Sequence, residues 1–134
     1  MPRMKPIPLL PALIWSLVIL AVISWPEKQI PDSDILRIPF IDKAIHFSMF
    51  AVLGVFVYGG LWVQDKASCF YTYRLGVTLA TGLAYGAITE MIQHFFLEGR
   101  HGTAGDFIAN AIGTVFGVMI MRKTKSNHLF GHEA

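Results

Sequence analysis

DKAIHFSMFAVLGVFVYGGLW, residues Asp42–Trp62, is the stretch on which the fold of this chain turns. From Phe47 to Leu61 it carries no charge, and its polar groups gather at the start, in Asp42, Lys43 and His46. A hydrocarbon core of about 30 Å takes about 20 helical residues to cross. Residues 43–62 supply that length. Lipid offers no partner to a free backbone N–H or C=O, so the run reads as a transmembrane helix.

Similar runs lie on either side. Before it, residues 8–25 are uncharged, follow Arg3 and Lys5, and end on Trp25, a residue suited to the membrane interface. The basic start and short apolar core also fit a secretory signal peptide. Trp25-Pro26 directly after a cut, and further spans downstream, weigh against cleavage. Pro26 to Ile41 is polar, holds Pro26, Pro31 and Pro39, and reads as an extramembrane loop. After the central run, Val63 to Tyr73 is a short connection leading to a third span over 74–96. Glu98-Gly99-Arg100-His101-Gly102 makes a polar turn. A fourth span over about 106–121 stops at Arg122-Lys123. It is short, so its ends are expected in the headgroup region or in a locally thinned bilayer. The predicted fold is an all-α integral membrane bundle of four transmembrane helices, with residues 1–134 forming a single domain.

Composition agrees. The chain is 54% hydrophobic and 15% charged, whereas soluble domains carry about 25% charged residues. A lipid-facing surface accounts for the deficit. A net charge of +2 is too weak for a nucleic-acid footprint. One cysteine, Cys69, excludes an internal disulfide framework and a cysteine metal cluster; it reads as a passive apolar residue. Gly82 and Gly86, and Gly113 and Gly117, form G-x-x-x-G steps that read as helix packing.

The basic residues divide unevenly between the two sides. Arg3, Lys5, Lys66, Arg74, Arg122, Lys123 and Lys125 fall on one, and Lys28, Arg37, Lys43 and Arg100 on the other. The positive-inside rule then predicts both termini in the cytoplasm. The basic end carries no further chemistry in this reading.

The opposite, outer layer is different. Asp42, Lys43 and His46 open the second span, and Glu90, Gln93 and His94 close the third. Arg100 and His101 occupy the turn, and Asp106 and Asn110 open the fourth span. Asp42 and His46, Glu90 and His94, and Asp106 and Asn110 are each four apart, so each pair shares a helix face. Glu90 lies about 9 Å in from Phe96 at 1.5 Å per residue. A charge at the centre of a span costs about 2.5–3.5 kcal/mol on insertion scales. Glu90 therefore needs a partner, water or a cavity, and Lys43 and Arg100 are the expected cationic partners. Structural roles compete with functional ones at each position. Asp106 is placed to cap a helix, Asp42 and Lys43 to sit as interfacial charges, and His46 and Asn110 to bond between helices. His94 reads as structural, and His128 and His132 as solvated tail.

Asp42-Lys43-Ala44-Ile45-His46-Phe47, Tyr85-Gly86 with Glu90 and Gln93, Gly99-Arg100, and Asp106-Phe107-Ile108-Ala109-Asn110 with Gly113 together resemble the VanZ-like family. The resemblance runs from residue 42 to about 117, and the His101–Gly105 turn agrees only loosely. It implies a small bacterial membrane protein of the cell envelope. The founding member is associated with resistance to teicoplanin, a glycopeptide that acts outside the membrane on lipid-linked wall precursors.

Two functions follow. The first is binding of a membrane lipid headgroup or lipid-linked wall-precursor moiety by Asp42, Lys43, His46, Glu90, Gln93, Arg100, Asp106 and Asn110. Lys43 and Arg100 would contact an anion. The alternative is an intramembrane hydrolase or transferase using His46 with Glu90 or Asp106 as catalytic groups, or as ligands of a metal. No Gly-x-Ser-x-Gly or P-loop motif is present, the one His-x-x-x-His spacing, His128 to His132, falls in the tail, and cofactor and metal are left open. A third reading makes the cluster a structural lock in an assembly subunit. A transporter would require oligomerisation of so few short spans.

Overall fold

The computed structural model describes residues 5–25, 40–97 and 102–130, with side chains to Ser126. The proline-rich loop, Arg100, His101 and the tail histidines fall outside the described side chains. Every regular element among the described residues is helical. A 3₁₀ turn, Ile7–Leu9, leads into α1, Leu10–Ile23; then come α2, Ile41–Trp62, and a single turn, α3, Cys69–Thr72. The long helices α4, Arg74–Phe96, and α5, Ala104–Phe130, complete the chain. Pro11 sits in the first turn of α1, where its missing N–H costs nothing. Ser68 caps α3 by accepting from the Phe70 N–H at 3.2 Å.

Three helices, α2, α4 and α5, are long and apolar enough to cross a membrane, and Ile7–Ile23 is a shorter apolar helix. The helix that carries the fourth apolar run is longer than the run itself, continuing through Arg122 and Lys123 to 27 residues, about 40 Å. Charged residues end an apolar run, but they are good helix formers and do not end a helix. The shortest of the apolar helices is the first.

Burial follows the logic of a lipid solvent. The buried positions of α4 are Thr78, Gly82, Gly86, Thr89, Glu90 and Gln93, all small or polar. Its Leu83, Ile88, Met91, Phe95 and Phe96 point outward. A water-soluble helix would place these groups the other way round. α1 likewise turns Ile19 and Ile23 inward and exposes Leu13, Ile14 and Leu17.

The central element is α2, which packs on α1, α4 and most extensively on α5. Glycines allow that approach. A Cβ on Gly113 would strike the Phe47 carbonyl, and one on Gly117 the Ala51 carbonyl. Across the same seam a Cβ on Gly54 would come within 2.7 Å of the Thr114 carbonyl oxygen. Gly82 accommodates the Thr114 side chain, and Gly86 lies against Asn110. Residues 110–117 of α5 are therefore held at close range by both α2 and α4. Polar ties fix α1: the Trp15 indole N–H donates to the Met49 carbonyl at 2.8 Å, and the Tyr85 hydroxyl donates to the Ser16 carbonyl.

Candidate functional site

The start of α5 is built by a local signal. Thr103 precedes the helix, and its hydroxyl accepts from the Asp106 N–H at 3.2 Å. In return Asp106 Oδ2 accepts from the Thr103 hydroxyl at 2.6 Å and from the Thr103 N–H at 3.3 Å. This reciprocal capping box satisfies donors that a helix start leaves open. It also pins the Asp106 carboxylate, which is only 5% exposed, in one orientation.

The other oxygen, Asp106 Oδ1, faces α2 and lies 3.3 Å from Lys43 Nζ. Lys43 Nζ also bonds Asp42 Oδ2 at 2.9 Å. A Cβ on Gly105 would come 2.8 Å from Lys43 Cε, so the lysine stem lies across that glycine. Lys43 thus joins the outer ends of α2 and α5 while keeping 35% of its side chain exposed.

One turn deeper lies a second, drier layer. Asn110 is fully buried. Its amide Nδ2 donates to Glu90 Oε1 at 2.9 Å, and its Oδ1 lies 3.1 Å from His46 Nδ1. An amide oxygen only accepts, so the His46 tautomer with hydrogen on Nδ1 fits this contact. His46 Nδ1 is also 3.4 Å from Glu90 Oε1. Three helices therefore meet in one chain of bonds, from His46 on α2 through Asn110 on α5 to Glu90 on α4. Lys43 with His46, and Asp106 with Asn110, stand three and four residues apart, which places the two layers on the same helix faces.

Two atoms of this inner layer have capacity left. Glu90 Oε2 is buried and has no hydrogen-bond partner among the described residues. Gly102 packs closely over it: a Cβ there would stand 2.9 Å from Oε2 and strike the Glu90 carbonyl oxygen. With Nδ1 engaged, His46 Nε2 is the ring's remaining acceptor. Both atoms suit an incoming hydroxyl or amine donor.

The expected partners are redistributed. Lys43 pairs with Asp106 and Asp42, and Glu90 is held by Asn110 and His46. The reason is depth: Asp106 lies level with Lys43, and Glu90 lies a turn further in. Asp106 serves both as cap and as charge partner. Gln93 is buried on the Glu90 face of α4, and His94 is exposed. Arg100 lies outside the described residues. Thr103 was missed by sequence reasoning, although T-x-x-D before an apolar run is a recognisable capping signal. Among the described residues no three or more His, Cys, Asp or Glu side chains are grouped to hold a metal ion.

The VanZ/LLP1 family model matches residues 7–126. No curated protein and no solved structure matches the chain.

Proposed function

This chain belongs to the VanZ/LLP1 family, and on that premise we propose that its two-layered polar cluster binds the headgroup of a membrane lipid or lipid-linked wall precursor in the bacterial cell envelope. The observation that carries this reading is Glu90 Oε2, a buried acceptor with no partner among the described residues. Leaving such an atom unsatisfied costs about 1–3 kcal/mol, and a ligand hydroxyl removes that cost. Lys43, one-third exposed above it and already bonded to Asp42 and Asp106, has one ammonium N–H left to offer a phosphate. Arg100, in the adjoining turn of the sequence, would add a second cation. On the neighbouring face of α2 an open apolar groove of about 400 Å³, lined by Trp15, Ile45, Met49 and Val52 among others, suits an acyl chain.

The positive-inside distribution supports an inner-membrane orientation with this cluster outward and both termini cytoplasmic. An outward headgroup site fits a contribution to teicoplanin resistance, because that drug acts on precursors on that side. The test is teicoplanin sensitivity in a bacterial strain expressing the wild type, Glu90→Gln or Lys43→Ala, with protein level in the membrane measured in parallel. Loss of protection at unchanged protein level supports the proposal. Full protection by both variants overturns it.

A second reading, an intramembrane hydrolase or transferase, is favoured by the pairing of His46 with Glu90. With Nδ1 bound to Asn110 Oδ1, Nε2 carries the lone pair a general base needs. Incubating purified protein with a radiolabelled lipid-linked precursor distinguishes the two: binding without turnover leaves the first reading, and product formation lost in His46→Gln establishes the second.

A further inference from the structure

The far end of the bundle, which the sequence presents as a row of basic residues, contains a built site. An open cleft of about 370 Å³ lies between the end of α2, the start of α4 and the far part of α5. Arg74 and Arg122 line it, with Tyr58 and Trp62 as wall and the hydroxyl-bearing Thr72 and Ser126 at its margin. It is separate from the cluster described above, since Lys43 and Trp62 stand roughly 28 Å apart along α2.

Arg74 is held rather than free. Its guanidinium carbon lies 4.3 Å from the Tyr71 ring centroid, 4.6 Å from that of Trp62 and 5.9 Å from that of Tyr58. Its Nη1 donates to the Tyr71 carbonyl. Aromatic faces stabilise the cation without neutralising it. Its Nε is buried and has no hydrogen-bond partner among the described residues. Among the described residues no carboxylate pairs with either arginine, and the ion pairs lie at the other end of the bundle. Asp65, in the connection nearby, accepts instead from the Ala67 N–H at 2.9 Å.

A fixed guanidinium and a second one across a cleft suit a tetrahedral oxyanion. Arginine presents planar forked donors that match phosphate oxygens two at a time. The cleft lies where three helices leave their apolar runs, at headgroup depth, where phosphate is the abundant anion. Basic pockets between spans at that level bind anionic headgroups. We infer that the Arg74–Arg122 cleft is a binding site for a phosphate ester, taken from an anionic phospholipid headgroup or from a soluble phosphate compound. This assignment is independent of what the Glu90 cluster binds.

The full-length protein, purified in a neutral detergent, is titrated with phosphatidylglycerol or phosphatidylcholine, and lipid adducts are counted by native mass spectrometry. Phosphatidylglycerol is expected to bind at least fivefold better than phosphatidylcholine. Arg122→Ala should reduce its adducts at least fivefold, and Arg74→Lys, which keeps charge but loses the fork and the stacking, should do likewise. Lys123→Ala removes an exposed neighbouring cation that does not line the cleft, and should stay within twofold. Inorganic phosphate at millimolar concentration separates the sources: Arg122-dependent displacement of the lipid assigns a soluble phosphate ester, and no displacement assigns the headgroup. If Arg74→Lys does not fold, Arg122→Ala still decides, because Arg122 is exposed. Unchanged binding in Arg122→Ala, equal loss in Lys123→Ala, or no binding by either probe overturns the inference.

Discussion

Asn110 Nδ2 donates to Glu90 Oε1 at 2.9 Å while Asn110 Oδ1 meets His46 Nδ1 at 3.1 Å, so one fully buried amide joins α4 to α2 through α5. An amide is suited to this place because it has both a donor and an acceptor. A carboxylate would offer Glu90 no N–H, and an aliphatic side chain would serve neither neighbour.

Asn110→Ala should therefore lower stability by about 1–3 kcal/mol, the cost of leaving buried polar groups unpaired. Asn110→Asp should lower it at least as much at neutral pH, because two carboxylates then face each other in a dry layer. Thermal or denaturant unfolding in a mild detergent measures both. Asn110→Ala unfolding at the wild-type midpoint would show that the bridge contributes nothing.

The glycine seam makes a contrast within one protein. Gly117→Ala drives a Cβ into the Ala51 carbonyl, and Gly113→Ala drives one into the Phe47 carbonyl. Each should cost about 1–3 kcal/mol through separation of α2 and α5. Gly76→Ala, in α4, meets nothing within 4 Å. It should be neutral or stabilising by about 0.5–1 kcal/mol, the ordinary helix preference for alanine. Equal behaviour of the three variants would contradict the close helix approach.

Thr103→Ala removes the hydroxyl that both accepts from the Asp106 N–H and donates to its carboxylate. The expected loss is about 1 kcal/mol, and Thr103→Ser should restore most of it. Hydrogen exchange in the first turn of α5 should rise in the alanine variant and return to the wild-type rate in the serine variant. Unchanged protection in Thr103→Ala would remove the capping box from the account.

Cys69 reports topology without engineering. It is the chain's single cysteine, exposed in α3 at the basic end. A membrane-impermeant maleimide should leave it unlabelled in intact spheroplasts and label it after permeabilisation. Labelling of intact spheroplasts would place the basic end outside and invert the proposed orientation.

Much of the fold is local in origin and could be read directly. The absence of charge from Phe47 to Leu61 forces a helix in lipid, because each backbone group must bond within its own segment. The offsets of three and four residues place Lys43 with His46 and Asp106 with Asn110 on common faces, whatever surrounds them. Alternation of long spans then brings the start of α2, the end of α4 and the start of α5 to one end. The gathering of Asp42, Lys43, His46, Glu90, Asp106 and Asn110 was legible for these reasons.

The pairing inside that layer was decided only by tertiary structure. Charge alone favours Lys43 with Glu90, but depth and helix rotation deliver Lys43 to Asp106 and Glu90 to Asn110. Rotation is set by contacts remote in sequence, Gly113 and Gly117 against the α2 backbone and Gly82 and Gly86 against α5. The placing of Tyr58 and Trp62 of α2 around Arg74 shares that origin. Sequence by itself determined that the chain spans lipid as helices and which residues stand at its polar end, because solvent exclusion and helical period act within a segment. Which of those residues touch depended on how closely and at what rotation the helices meet.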